Sequence, residues 1–196
     1  QDNDGENSTI YIVNDSGGDI TISQDVVNNA DFRGLFFWGD ETTSDLTVAS
    51  GATVNQTASA GGGIDFRNFN NVLIDGEVTT AGNIVARDIN SSFDINNTFE
   101  TRSAGSFIRI GGRQIRSLGI GTSATGDLVI DDTSLSNIAA NGLGTILFGS
   151  DEFAGTQRQP LYINTTFDFA NDVEFGLSGN QGDYNIILES DLISTN

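Results

Sequence analysis

Two short apolar phrases alternate along most of this chain, and their alternation restricts it to folds that stack strand upon strand. The first reads apolar–x–apolar–x–x–x–apolar: Ile20-Thr-Ile22 with Val26, Val72-Leu-Ile74 with Val78, Phe93-Asp-Ile95 with Phe99, and Leu161-Tyr-Ile163 with Phe167. Looser copies are Leu46-Thr-Val48 with Ala52 and Leu128-Val-Ile130 with Leu135, the last with one residue extra. The second phrase is apolar–x–apolar: Leu35-Phe-Phe37, Ile64-Asp-Phe66, Ile84-Val-Ala86, Ile108-Arg-Ile110 and Ile146-Leu-Phe148. Each phrase has strand length and strand alternation, with side chains pointing to opposite faces in turn. Self-similarity at periods of roughly 20–50 residues marks architectures in which neighbouring repeats share one core.

The first phrase starts at residues 20, 46, 72, 93, 128 and 161, at intervals of 26, 26, 21, 35 and 33. Unequal intervals exclude a rigid short-period solenoid. They predict an all-β, right-handed parallel β-helix whose coil length is irregular. In that fold Ile22, Val48, Ile74, Ile95, Ile130 and Ile163 lie over one another inside, while residues such as Asp94 and Asn96 point outward. The long intervals around 111–126 and 151–159 then hold loops or extra strands. Gly, Asn, Asp and Ser clusters separate the phrases, as turn chemistry requires, and Asn tolerates left-handed turn positions. The one stretch with helical character is Ser134–Leu143, enough for a single short turn. Residues 1–8 lack periodicity and predict a flexible acidic leader or terminal extension. Residues 9–196 then form a single β-helical domain. A β-sandwich, pilin-like subunit is the alternative; it gains from the short length and loses from the stacked phrases.

The segments 45–66 and 72–89 resemble the passenger regions of autotransporters and of filamentous-haemagglutinin-type adhesins. The resemblance runs over roughly residues 19–178 and lies in composition and rhythm. It implies secretion, an extracellular or bacterial cell-surface location, and a structural or adhesive role: a rod or filament subunit, an adhesin stalk or a biofilm-matrix component. The chain is short for such a passenger and shows no membrane-barrel segment.

Composition narrows the function classes. The net charge is −19, with 27 acidic residues against eight basic ones, all of them arginine. Such a surface repels nucleic acid and anionic lipid, so neither is an expected partner. No apolar run reaches the length of a membrane-spanning helix, so no membrane insertion is expected. There is no Cys and no His, which removes disulfides, thiolate metal sites and the commonest general base.

Several residues are candidates for function. Asp2, Asp4 and Glu6 in the leader suggest a calcium loop, although the glycine and the closing Glu of an EF-type loop are misplaced; Ca2+ is the one candidate ion, and no cofactor is required. The terminal segments around Ile10, Tyr11 and Ile12 and around Ile186, Ile187 and Leu188 are strand-like without a capping helix. They are candidate assembly strands, pairing with a neighbouring copy to give a head-to-tail filament. The aromatic block containing Phe36 and Trp38 is a candidate surface patch for a host or matrix glycan or a partner, against the simpler reading of a packed strand. Arg109, Arg113 and Arg116 form the basic cluster, suited to an acidic patch on a neighbouring copy. A carbohydrate-binding or polysaccharide-cleaving β-helix is the competing function. It needs carboxylates brought together from among Asp65, Asp88, Asp94 and Asp131, with Arg67, Arg87 and Arg109 close by. The expectation is a protein that is not an enzyme.

Overall fold

A computed structural model describes residues 9–29, 34–40, 42–57, 62–112, 116–140, 144–149, 159–176 and 185–191. The described chain is all-β, and every strand pairing in it is parallel. The strands come in rounds of three. The first round is β1 (Ile10–Val13), β2 (Ile20–Ile22) and β3 (Val26–Asn28); the second is β4 (Leu35–Trp38), β5 (Asp45–Val48) and β6 (Thr53–Gln56). The third is β7 (Gly63–Arg67), β8 (Asn71–Ile74) and β9 (Glu77–Thr80), and the fourth is β10 (Asn83–Ile89), β11 (Ser92–Ile95) and β12 (Phe99–Thr101). Then follow β13 (Phe107–Gly112), β14 (Leu118–Ile120), β15 (Leu128–Ile130), the short helix α1 (Asp132–Ser136), β16 (Ile138–Ala140), β17 (Thr145–Gly149), β18 (Leu161–Ile163), β19 (Asp172–Gly176) and β20 (Ile186–Leu188).

Each member of a round joins its own sheet. Sheet A has the order β1-β4-β7-β10-β13-β17-β19, sheet B β11-β8-β5-β2, sheet C β16-β12-β9-β6-β3 and sheet D β15-β14-β18-β20. The second apolar phrase builds sheet A: Leu35, Ile64, Ile84, Ile108 and Ile146 occupy one register line, and Phe37, Phe66, Ala86, Ile110 and Phe148 another. The first phrase builds sheets B and D. Ile22, Val48, Ile74 and Ile95 form one ladder, and Ile130, Ile120, Ile163 and Leu188 a second. All six of the aliphatic rungs expected from the sequence are buried, but they do not form the single ladder expected. Ile130 and Ile163 belong to sheet D, separated by Ile120, and β15 packs against β11 without pairing to it, because α1 closes sheet B there. One continuous cluster of these residues makes the core.

Three further expectations change. Ala52 and Leu135 are not the third rungs of their phrases: Val54 and Ile138 are, in line with Val26, Val78 and Phe99 in sheet C. At Ala52 the turn through Gly51 (φ +83°) is longer, and at Leu135 helix α1 intervenes before the strand starts. The helical turn is at 132–136, earlier than its sequence pattern suggests, because Asp131 caps it by accepting a hydrogen bond from Ser134 N at 2.7 Å. Turn asparagines serve less for left-handed backbone than for side-chain ladders. Among the described residues Asn68 alone of the asparagines has positive φ. By contrast, Asn71 donates to Asp45, Asn90 and Ser91 donate to Asn70, and Asn96 donates to Asp75, each from one round to the next.

The interval of 35 residues contains an extra strand. The chain leaves β13, lays down β14, doubles back through 121–127 and adds β15 in parallel beside it. Two parallel neighbours joined by so short a link are unusual, and the link lies against its own strand. A Cβ at Gly119 would sit 2.9 Å from Thr125 O, and one at Gly126 2.6 Å from Gly119 N. Gly121 makes the reversal at φ +105°.

Candidate functional site

The outer face of sheet A differs from that of sheet B. Positions that alternate with the buried rungs point outward, and register aligns them into columns. One column is Tyr11, Phe36, Asp65, Val85, Arg109, Leu147 and Glu174; beside it run Val13, Trp38, Arg67 and Arg87. Outer positions of sheet B are instead Thr21, Thr47, Leu73 and Asp94. Tyr11 is 64% exposed, Val13 52% and Trp38 43%. Three of the six large apolar side chains left exposed among the described residues therefore fall on one small area.

The sequence explains the aromatic block residue by residue. In Leu35-Phe36-Phe37-Trp38 strand alternation buries Leu35 and Phe37 and turns Phe36 and Trp38 outward. The block is thus both a packed strand and a surface patch. Tyr11 and Phe36 stack with ring centroids 5.1 Å apart and planes 23° apart. Trp38 lies under the Arg67 guanidinium, 5.7 Å from Cζ to ring centroid, and Arg109 lies over Phe107 at 5.3 Å. Arg67 Nε donates to Asp65 Oδ1 at 3.0 Å, its terminal nitrogen also reaches Asp65, and Arg87 approaches the same carboxylate at 3.9 Å. The Arg67 pKa is raised, chiefly by the hydrogen bond to Asp65, with burial opposing.

Two grooves flank this aromatic ridge. One, of about 260 Å³, has a floor without side chains at Gly34 and Gly63 and walls of Tyr11, Phe36, Asp65, Asn83 and Phe107. Glycine is required at Gly63, where a Cβ would stand 2.4 Å from Asn83 O. The other, of about 370 Å³, lies at the far ends of the same strands, between Val13, Trp38, Asp15, Asp40, Thr42 and Asn68.

Of the acidic and basic candidates, Asp65, Arg67, Arg87 and Arg109 share sheet A, and Asp88 acts electrostatically on Arg67. Asp94 is on the outside of sheet B, and Asp131 is committed to capping α1. Asp94 and Asp131 therefore do not join Asp65 and Asp88, which lie on sheet A. Asp132 accepts from Thr165 Oγ1 at 2.7 Å, so it too holds structure. Arg109 and Arg116 do different jobs. Arg109 covers Phe107, whereas Arg116 donates to Asn90 Oδ1 at 3.1 Å and approaches Asp127 at 3.9 Å. Arg113, and the calcium candidates Asp2, Asp4 and Glu6, lie outside the described residues. Among the described residues no group of three or more Asp or Glu is placed to hold a metal ion, and no helix is long and apolar enough to cross a membrane.

The terminal candidates occupy sheet edges. Strand β1 is the edge of sheet A, with Ile10 and Ile12 packed on the core and Tyr11 turned outward. Strand β20 is the edge of sheet D. Ile186 and Leu188 continue the ladders of Leu161 and Ile163, yet they are 45% and 58% exposed. The two terminal strands belong to different sheets, which sequence alone could not reveal. No protein-family model, curated protein or solved structure matches the chain.

Proposed function

We propose that the chain is a right-handed parallel β-helix and serves outside the cell as a structural or adhesive rod that assembles end to end. The supporting observation is the parallel pairing of each strand of the first four rounds with its counterpart in the neighbouring round, together with the apolar rungs Ile186 and Leu188 left exposed on the edge strand β20. Right-handedness follows from the strong bias of parallel crossover connections. An edge strand with unsatisfied backbone groups and exposed apolar rungs is a template for another strand. In a head-to-tail junction β1 of one copy would continue sheet A beyond β19 of the next, and β2 would cover β20, setting Ile20 and Ile22 over Ile186 and Leu188. This pairing by sheet replaces the direct joining of the two terminal strands. It is a heterologous contact, which propagates and does not close.

The acidic exterior keeps such rods from lateral aggregation. A non-enzymatic role fits carboxylates spent on caps, ladders and ion pairs. The proposal is tested by light scattering and negative-stain electron microscopy across protein concentration. Rods that lengthen with concentration, and that are lost in an Ile186→Lys/Leu188→Lys variant of unchanged circular dichroism, are expected. A particle that stays monomeric at every concentration, with and without calcium, overturns end-to-end assembly.

A further inference from the structure

We propose that the outer face of sheet A binds an extended chain of neutral β-linked hexopyranoses, one ring in each groove on either side of the ridge formed by Tyr11, Phe36 and Trp38. This goes beyond the assembly reading, because the site is on the side of the stack and not at its ends.

Three features select this ligand. The first groove has a floor stripped to backbone by Gly34 and Gly63, so a flat ring can lie close to the sheet beside aromatic walls. A hexopyranose with equatorial hydroxyls presents an apolar C–H face to such a ring and a rim of hydroxyls to its surroundings. The second feature is the polar lining. Asp65 and Asn83 line one groove, and Asp15, Asp40 and Asn68 the other; no arginine lines either. The second groove, with Asp15 and Asp40, is negative and repels uronates, sulfates and phosphates; in the first, Asp65 is balanced by Arg67, and Asp65 and Asn83 leave a lining of acceptors for the hydroxyl donors of a neutral sugar. The third is preorganisation. Asp65 is fixed by the Arg67 fork, and Asp40 Oδ1 is held by Thr42 N and Oγ1 at 3.3 and 3.2 Å. Carboxylates locked before the ligand arrives lose little entropy on binding. Along one strand the outward residues Phe36 and Trp38 are about 6.6–6.8 Å apart, so one extended sugar chain can cross the ridge and enter both grooves.

Trp38 is the single tryptophan, so its fluorescence reports the site directly. Cellohexaose is the probe, with hexagalacturonate and hexa-arginine as charged competitors. A saturable change in Trp38 emission with cellohexaose is expected. Calorimetry should show affinity weakened about tenfold or more by Tyr11→Ala or Trp38→Ala, the loss typical of an aromatic anchor. Leu73→Ala, on the outside of sheet B, should leave binding unchanged. So should the Ile186→Lys/Leu188→Lys variant, which separates this site from assembly. Tyr11 is mostly exposed, so its removal does not threaten the fold. No saturation up to about 10 mM cellohexaose, where even a millimolar site fills, overturns the proposal. Equal or tighter binding of hexagalacturonate or hexa-arginine overturns it as well.

Discussion

At the residue scale the core is a column of rings and branched aliphatics whose sizes compensate between levels. Phe37 and Phe66 stack at 5.2 Å, Phe66 reaches Phe99 at 6.3 Å, and Phe93 meets Phe99 edge-on at 5.7 Å. Above Phe66 the same register line carries Ala86. A small residue there fits a layer that Phe93 and Phe99 already fill from the other sheets. Truncating Phe66, which is fully buried, should cost about 3–5 kcal/mol, since the rings around it cannot all collapse into the void. Chemical denaturation of Phe66→Ala against the parent would measure this; a loss below about 1 kcal/mol would mean the ring is not a packed rung. Ala86→Phe should also destabilise, by about 1–3 kcal/mol through overpacking. The opposite signs of volume change with the same sign of effect distinguish a filled column from a loose one. The turn residues were harder to read from sequence. Asn, Asp and Ser announce turns, but the choice between left-handed backbone and round-to-round side-chain bonds depends on which residue lies one level below. That neighbour is set by register, and Asn71 over Asp45 is one such case.

At the element scale the departure from strict repetition centres on β14, the link 121–127 and α1. Helix α1 ends sheet B with side chains in place of a strand. Ser134 Oγ accepts from Ile95 N at 3.0 Å, and Asn137 Nδ2 donates to Ile95 O at 2.8 Å. Asn137→Ala should cost about 1–3 kcal/mol by leaving a carbonyl unsatisfied near the core, a loss that thermal unfolding would show. The link itself is tied by carboxylates. Asp127 accepts from Ser117 N and Oγ at 2.9 and 2.8 Å, and Glu189 accepts from Thr125 N at 2.8 Å. Both acids have pKa values below the ordinary range: Asp127 mainly through the Ser117 backbone and side-chain bonds with Arg116 adding a little, and Glu189 through its bonds from Thr125. A carboxylate depressed in the folded state favours folding above its unfolded value, and that contribution disappears as pH falls through the folded one. The protection of amides in 117–127, taken relative to the intrinsic exchange rate at each pH, should therefore be high at neutral pH and fall below about pH 4. Protection that is unchanged on acidification, or that falls on raising the pH instead, would contradict the assignment. Sequence showed that the 35-residue interval held something additional, and an extra strand was one of the expected contents. It could not show that β14 precedes β15 in sequence but lies beyond it in the sheet. The pattern Leu118-Gly119-Ile120 is too short to announce a strand, and its glycine is explained only by the link crossing over it.

At the scale of the whole molecule, pattern and charge act on different surfaces. Rungs read from the sequence face inward and need only register to be recovered, so the parallel sheets were legible. The two grooves were not, because one combines residues of two strands and of turns, from Val13 to Asn68, and the other residues of five strands, from Thr9 to Phe107. The two proposals together divide the labour: the ends would extend the stack, and the side of sheet A, with its exposed aromatics, would bind sugar. The division has a consequence for salt. With a net charge of −19, two copies repel at long range before their ends meet. Raising ionic strength from about 0.01 M to about 0.15 M shortens the screening length from about 30 Å to about 8 Å. End-to-end association should strengthen over that range, seen as faster growth of scattering, while cellohexaose binding, being to a neutral ligand, should stay within about twofold of its low-salt value. Assembly that weakens with salt would place ion pairs, and not apolar rungs, at the junction. Sugar binding that weakens in parallel would place charge, and not ring stacking, in the grooves.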